Sequence, residues 1–83
     1  MAKVTTKNTT DFINNCVAIA INILKLSTPH IWLDYDKGAD VLYMSFRKPQ
    51  RATKTIELDN DILLRKDGKE IVGLTILNAS SRQ

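Results

Sequence analysis

The hydrophobic period of this chain changes once, at Pro29, and that change constrains the fold more than any other feature. Before it, Phe12, Ile13, Cys16, Val17, Ile19, Ala20, Ile23 and Leu24 recur at helical spacing, with Thr9 or Thr10 as cap and Asp11 in the first turn. Pro29, preceded by Ser27 and Thr28, stops the helix near Leu26. After it the period is that of strands: His30–Tyr35, Val41–Phe46, Thr53–Leu58, Ile62–Arg65 and Glu70–Leu77 are separated by segments rich in Asp, Asn, Gly and Pro. Gly38 is expected to supply the positive φ of the first hairpin, and Asp67-Gly68 to form the two-residue turn of the last. The predicted fold is therefore α+β, one N-terminal helix packed on an antiparallel β-meander of about five strands. A chain of 83 residues suits one domain, placed over 9–80, with residues 1–8 expected as a flexible arm.

On a helical wheel, Asp11, Asn14, Asn15, Ala18, Asn22 and Lys25 gather in one sector roughly 100° wide. The remaining arc of about 220° is apolar, twice what a helix lying on one sheet has to bury. Several strands are also apolar on both sides, Leu42, Met44 and Phe46 alternating with Val41 and Tyr43. Both observations predict a homodimer, with Val17, Ile21 and Leu24 as its candidate interface.

Few residues suggest chemistry. One cysteine (Cys16) and one histidine (His30) cannot form an internal disulfide or a Cys/His metal centre, so no cofactor or metal is expected. Asp34, Asp36 and Asp40 resemble a calcium loop, but the Gly and Glu such a loop needs are replaced by Ala39 and Ser45. A small enzyme or metal-binding protein using His30 and this acidic turn is the weakest alternative, for His30 and Asp34 lack a third partner. The charged segment of interest is Arg47, Lys48, Arg51 and Lys54, a basic loop that could meet phosphates or an acidic protein. A net charge of +3 and the absence of stacking aromatics there argue against nucleic acid as a partner of the isolated chain. The apolar run Cys16–Leu26 is too short and too interrupted to span a membrane or serve as a leader, and a cytoplasmic chain is the expectation.

The stretch from Trp32-Leu33-Asp34-Tyr35-Asp36 through Ala39-Asp40-Val41-Leu42-Tyr43-Met44 to Asp67-Gly68-Lys69-Glu70-Ile71-Val72-Gly73-Leu74 and Leu77-Asn78-Ala79-Ser80 resembles the domain of unknown function family 2283 over residues 31–80. The chain departs from the family's pattern at Asp61, where Gly is frequent, at Leu64-Arg65-Lys66, often more acidic, and at Thr75, where many members carry Glu. The resemblance implies a small, mostly β domain of bacterial or archaeal type with no assigned catalytic residues. It also implies, by gene arrangement, an antitoxin-like partner of a small RelE-like toxin. Together the readings point to a non-enzymatic protein-interaction module.

Overall fold

The computed structural model describes residues 6–81, and it contains the expected helix and five strands. Helix α1 runs Thr6–Leu24, so Thr6, Lys7 and Asn8 belong to the helix and not to an arm; residues 1–5 of the expected arm lie outside the described residues. After Leu24 the turn tightens through Lys25 N–H to Asn22 O (3.1 Å) and Leu26 N–H to Ile23 O (3.0 Å). Ser27 then takes the left-handed conformation (φ 56°) that closes many helices, and Pro29 prevents continuation.

The strands are β1 (Trp32–Asp36), β2 (Val41–Ser45), β3 (Lys54–Leu58), β4 (Ile62–Asp67) and β5 (Glu70–Leu77), all paired antiparallel in one sheet. Their order is β1-β2-β5-β4-β3. The β1–β2 hairpin and the β3–β4–β5 meander are sequential as expected, but β2 joins β5. Segment 46–53 therefore carries the chain past two strands to the far edge. A β-bulge between Arg65 and Lys66 of β4 leaves Val72 of β5 without an opposite residue, and the Val72 carbonyl accepts the Phe46 N–H at 2.9 Å.

Two turns differ from expectation. In the first hairpin the positive φ falls on Asp40 (56°), not on Gly38; Asp tolerates that region better than most residues with a side chain, and the carboxylate of this one is held by Tyr35 and Ser80. In the last, Asp67 pairs with Glu70, so the central residues are Gly68 and Lys69, with only Gly68 at positive φ (62°). Between β3 and β4, Asn60 (φ 66°) and Asp61 (φ 59°) are both left-handed, a conformation that Asn and Asp tolerate better than most residues.

The packing of the helix is the largest departure. Only its last turns approach the sheet: Ile19, Ile23 and Leu26 share a cleft with Leu33, Leu42 and Met44 at the β1–β2 end. Phe12, Ile13, Val17, Ile21 and Leu24 stay exposed, and Ile19 and Leu26 keep about half of their surface in water even within that cleft. Val41 (7% exposed) and Val72 (0%) are the only buried hydrophobic residues among those described. The accessible surface of 6780 Å² exceeds the roughly 5,000 Å² of a compact 9.4 kDa monomer. The radius of gyration, 14.9 Å, likewise exceeds the about 12 Å expected for this length.

Candidate functional site

Residues paired across antiparallel strands share a face, as do alternate residues along one strand, so the register sorts every side chain of the sheet. One face receives Leu33 and Tyr35 from β1, Leu42 and Met44 from β2, and Leu74 and Ile76 from β5. The same face continues with Ile62 and Leu64 from β4 and Ile56 and Leu58 from β3. Ten consecutive positions across five strands are thus apolar apart from one phenol hydroxyl; Lys54 and Lys66 end the row beside the bulge. All ten are half-buried or exposed; the end of α1 and the turn after it reach the β1–β2 end and, through Leu26, Leu74 of β5. This face is the candidate functional surface.

The opposite face is mixed and bonded within itself. Gln50, in the crossover segment, lies over Gly73 and donates to Ser45 Oγ (2.6 Å), while its carbonyl accepts Arg65 Nε (3.1 Å). Arg65 also donates to Thr55 Oγ1 at 2.9 Å, so four side chains tie β2, β4 and β3 together across that glycine. A Cβ on Gly73 would run into Gln50 Nε2 and stand 2.8 Å from the Met44 carbonyl oxygen. Sequence reasoning missed Gln50 and Arg65, whose only signal was a glycine inside a strand pattern.

The basic loop is partly committed to structure. Arg47 donates to the Gln50 carbonyl (2.6 Å) and the Arg51 carbonyl (3.3 Å), and forms ion pairs with Asp67 (3.0 Å) and Glu70 (3.1 Å). Its guanidinium thereby fastens the crossover, which contains a cis Lys48–Pro49 bond, to the β4–β5 hairpin. Lys48, Arg51 and Lys54 remain exposed, whereas Arg47 is half-buried and ion-paired.

The acidic turn is a clamp. Asp40 Oδ1 accepts the Tyr35 hydroxyl (2.6 Å) and the Ser80 N–H (3.0 Å), and its Oδ2 accepts the Ser80 hydroxyl (2.9 Å). Asp36 Oδ1 accepts the Ala39 N–H at 3.1 Å. The Tyr35 hydroxyl first, and Ser80 after it, hold the Asp40 carboxyl below the usual range. The hydrogen bond to Asp40, with some burial and the nearby negative charge, raises the Tyr35 phenol. The motif residues Tyr35, Asp40 and Ser80 therefore meet at one point, where they fasten a short 3-10 turn (Ala79–Ser81) to the first hairpin. His30 precedes β1 and its ring stacks on Trp32 at 5.6 Å. No group of three potential metal ligands occurs among the described residues. Nor, among them, is any helix long and apolar enough to cross a membrane.

The candidate interface residues lie on the free side of α1: Val17 (51% exposed), Ile21 (54%) and Leu24 (80%) face away from the cleft that takes Ile19 and Ile23. Comparison with known proteins yields one family, described as Protein of unknown function (DUF2283), whose pattern matches residues 32–80. No curated protein and no solved structure matches.

Proposed function

The chain belongs to that family, and from this premise we propose that it is a non-enzymatic protein-interaction module whose working form is a homodimer. The observation that carries the reading is the ten-residue apolar face, left open by a helix that is itself apolar over most of its circumference. Contiguous apolar surface on this scale marks a site of association. The chemistry of the polar groups supports the same reading: Asp40, Tyr35, Arg47, Gln50 and Arg65 each bond to other parts of the chain and hold turns in place. In its finer form the module is cytoplasmic, prokaryotic and the antitoxin-like partner of a small RelE-like toxin, which rests on the family resemblance and its gene arrangement.

Sedimentation at micromolar concentration tests the reading. A mass of twice 9.4 kDa is expected, and a monomer would overturn it. Co-expression with the product of the adjacent gene tests the finer form, with a complex that survives size exclusion as the expected result.

A further inference from the structure

Resting on the homodimer reading, we infer that two copies exchange helix faces. Each α1 keeps its Ile19, Ile23 and Leu26 flank on its own β1–β2 and lays the opposite flank, Ile13, Val17, Ile21 and Leu24, on the β5–β4–β3 part of the other copy's apolar face. The occupant of the open face is thus a second copy of this chain, and the dimer is a sandwich of two sheets around two helices.

The dimensions support two helices per sheet. Strands lie about 4.8 Å apart, so five strands span about 19 Å between their outer axes. A helix with its side chains is about 10 Å across, and packed helices lie 8–10 Å apart. One helix therefore covers about half the sheet, and the cleft places the chain's own helix over β1–β2. Beyond that cleft lie Ile56, Leu58, Ile62, Leu64, Leu74 and Ile76, of which Leu58 is exposed and the others half-buried, Leu74 sharing a second cleft with Leu26.

The helix has the matching division of its circumference. At about 100° per residue, Ile19, Ile23 and Leu26 fall in one sector of roughly 60°, and Ile13, Leu24, Val17 and Ile21 fall in another of roughly 80°. On one side of the gap between them lie the small residues Cys16 and Ala20; on the other lie Asn14, Ala18, Asn22 and Lys25. A helix held between two sheets needs two apolar flanks, an edge that admits a neighbouring helix and an edge for water. A single chain cannot use both flanks, because it presents one sheet and the helix end is fixed at Ser27 and Pro29.

Charge and area agree. Neither the second flank nor those six sheet residues carries a charge, so each can be covered by the other without stranding an ion. The surplus surface, about 1,800 Å² per chain over a compact monomer, is on the scale that a stable homodimer removes. The exchange uses the same pair of surfaces twice about a two-fold axis and closes at two copies.

Disulfide trapping tests the exchange, since the bond forms only between Cβ atoms about 4 Å apart. Two chains are prepared on a Cys16→Ser background, one with Val17→Cys and one with Leu64→Cys, and mixed under mild oxidation. A disulfide between the two different chains as the main product is expected. Closure within a single chain carrying both substitutions would overturn the exchange, because the helix would then be covering its own β4. A dimer linked only Val17→Cys to Val17→Cys would also overturn it, while leaving the homodimer reading intact. A monomeric mass with no link would remove both. Without any substitution, a dimer mixed from isotope-labelled and unlabelled chains should give nuclear Overhauser contacts between Ile21 and Leu64 methyl groups of different chains; contacts confined to one chain would overturn the inference.

Discussion

On one side of the sheet, Gln50, Arg65, Ser45 and Thr55 bond one another across three strands; on the other, ten side chains offer apolar surface apart from the Tyr35 hydroxyl and meet only the end of a helix. The two sides differ in what the chain has available to finish them. The polar side needs a few directed bonds, and the crossover 46–53 brings them by laying Gln50 over Gly73. The apolar side needs area, and beyond the sheet the described residues supply one α-helix, about half of what that face requires. A small domain can satisfy its polar groups locally and still lack the means to cover its core.

The largest expected effect tests the apolar side. Ile21→Asp and, separately, Leu64→Asp should each convert the dimer to a monomer in sedimentation, since an unpaired carboxylate in a desolvated interface costs several kcal/mol. Retention of the dimer in both would mean that these surfaces face water in the assembly.

The next test concerns the polar side. Gly73→Ala has no room beside the Met44 carbonyl and should cost about 1–3 kcal/mol, lowering the melting temperature by several degrees. The oligomer should persist, and an unchanged melting temperature would show that Gln50 does not rest there. At the hairpin joining the two sides, Gly68→Val should cost about 1–2 kcal/mol through its positive φ, whereas Lys69→Ala should be neutral.

A smaller effect is expected from the Asp40 clamp. Its carboxyl titrates lower when folded than unfolded, so its contribution is complete above the ordinary carboxylate range and is lost as pH falls through the lower folded value. Tyr35, raised when folded, contributes below the ordinary phenol range and is lost as pH rises through the raised value. The gap in melting temperature between the parent and Asp40→Asn should therefore be widest near neutrality and narrow toward acid. A constant gap would place the role of Asp40 elsewhere. The least effect belongs to Lys48→Ala and Arg51→Ala, within about 0.5 kcal/mol of the parent. Gel shifts of the parent at low salt should be blank, and salt-sensitive binding lost in these variants would revive a nucleic-acid role for the loop.

Features that depend on neighbours in sequence were readable: the helix period, the stop at Pro29, the strands and the hairpins. Features that depend on distant pairing were not. Nothing local tells β2 to join β5, and the charges at Arg47 and Lys48 look alike until β4 and β5 bring Asp67 and Glu70 to only one of them. Gly38 attracted the positive φ by residue type, yet Asp40 adopts it, with a carboxylate bonded by Tyr35 and by Ser80, 40 residues away. For the candidate surface, the excess of apolar residues was legible in the two-sided strands. Which ten share a face required the register, and the bulge at Val72 shifts it by one residue between Ile71 and Gly73.

The sealing of only Val41 and Val72 among the described residues carries a consequence for the protein's lifetime. In the proposed homodimer most of the core forms between copies, so folding would be a second-order event whose equilibrium follows mass action. Each tenfold dilution removes about 1.4 kcal/mol from such an assembly. Dilution therefore opens chains to proteolysis, and the amount surviving depends on how much is present at once.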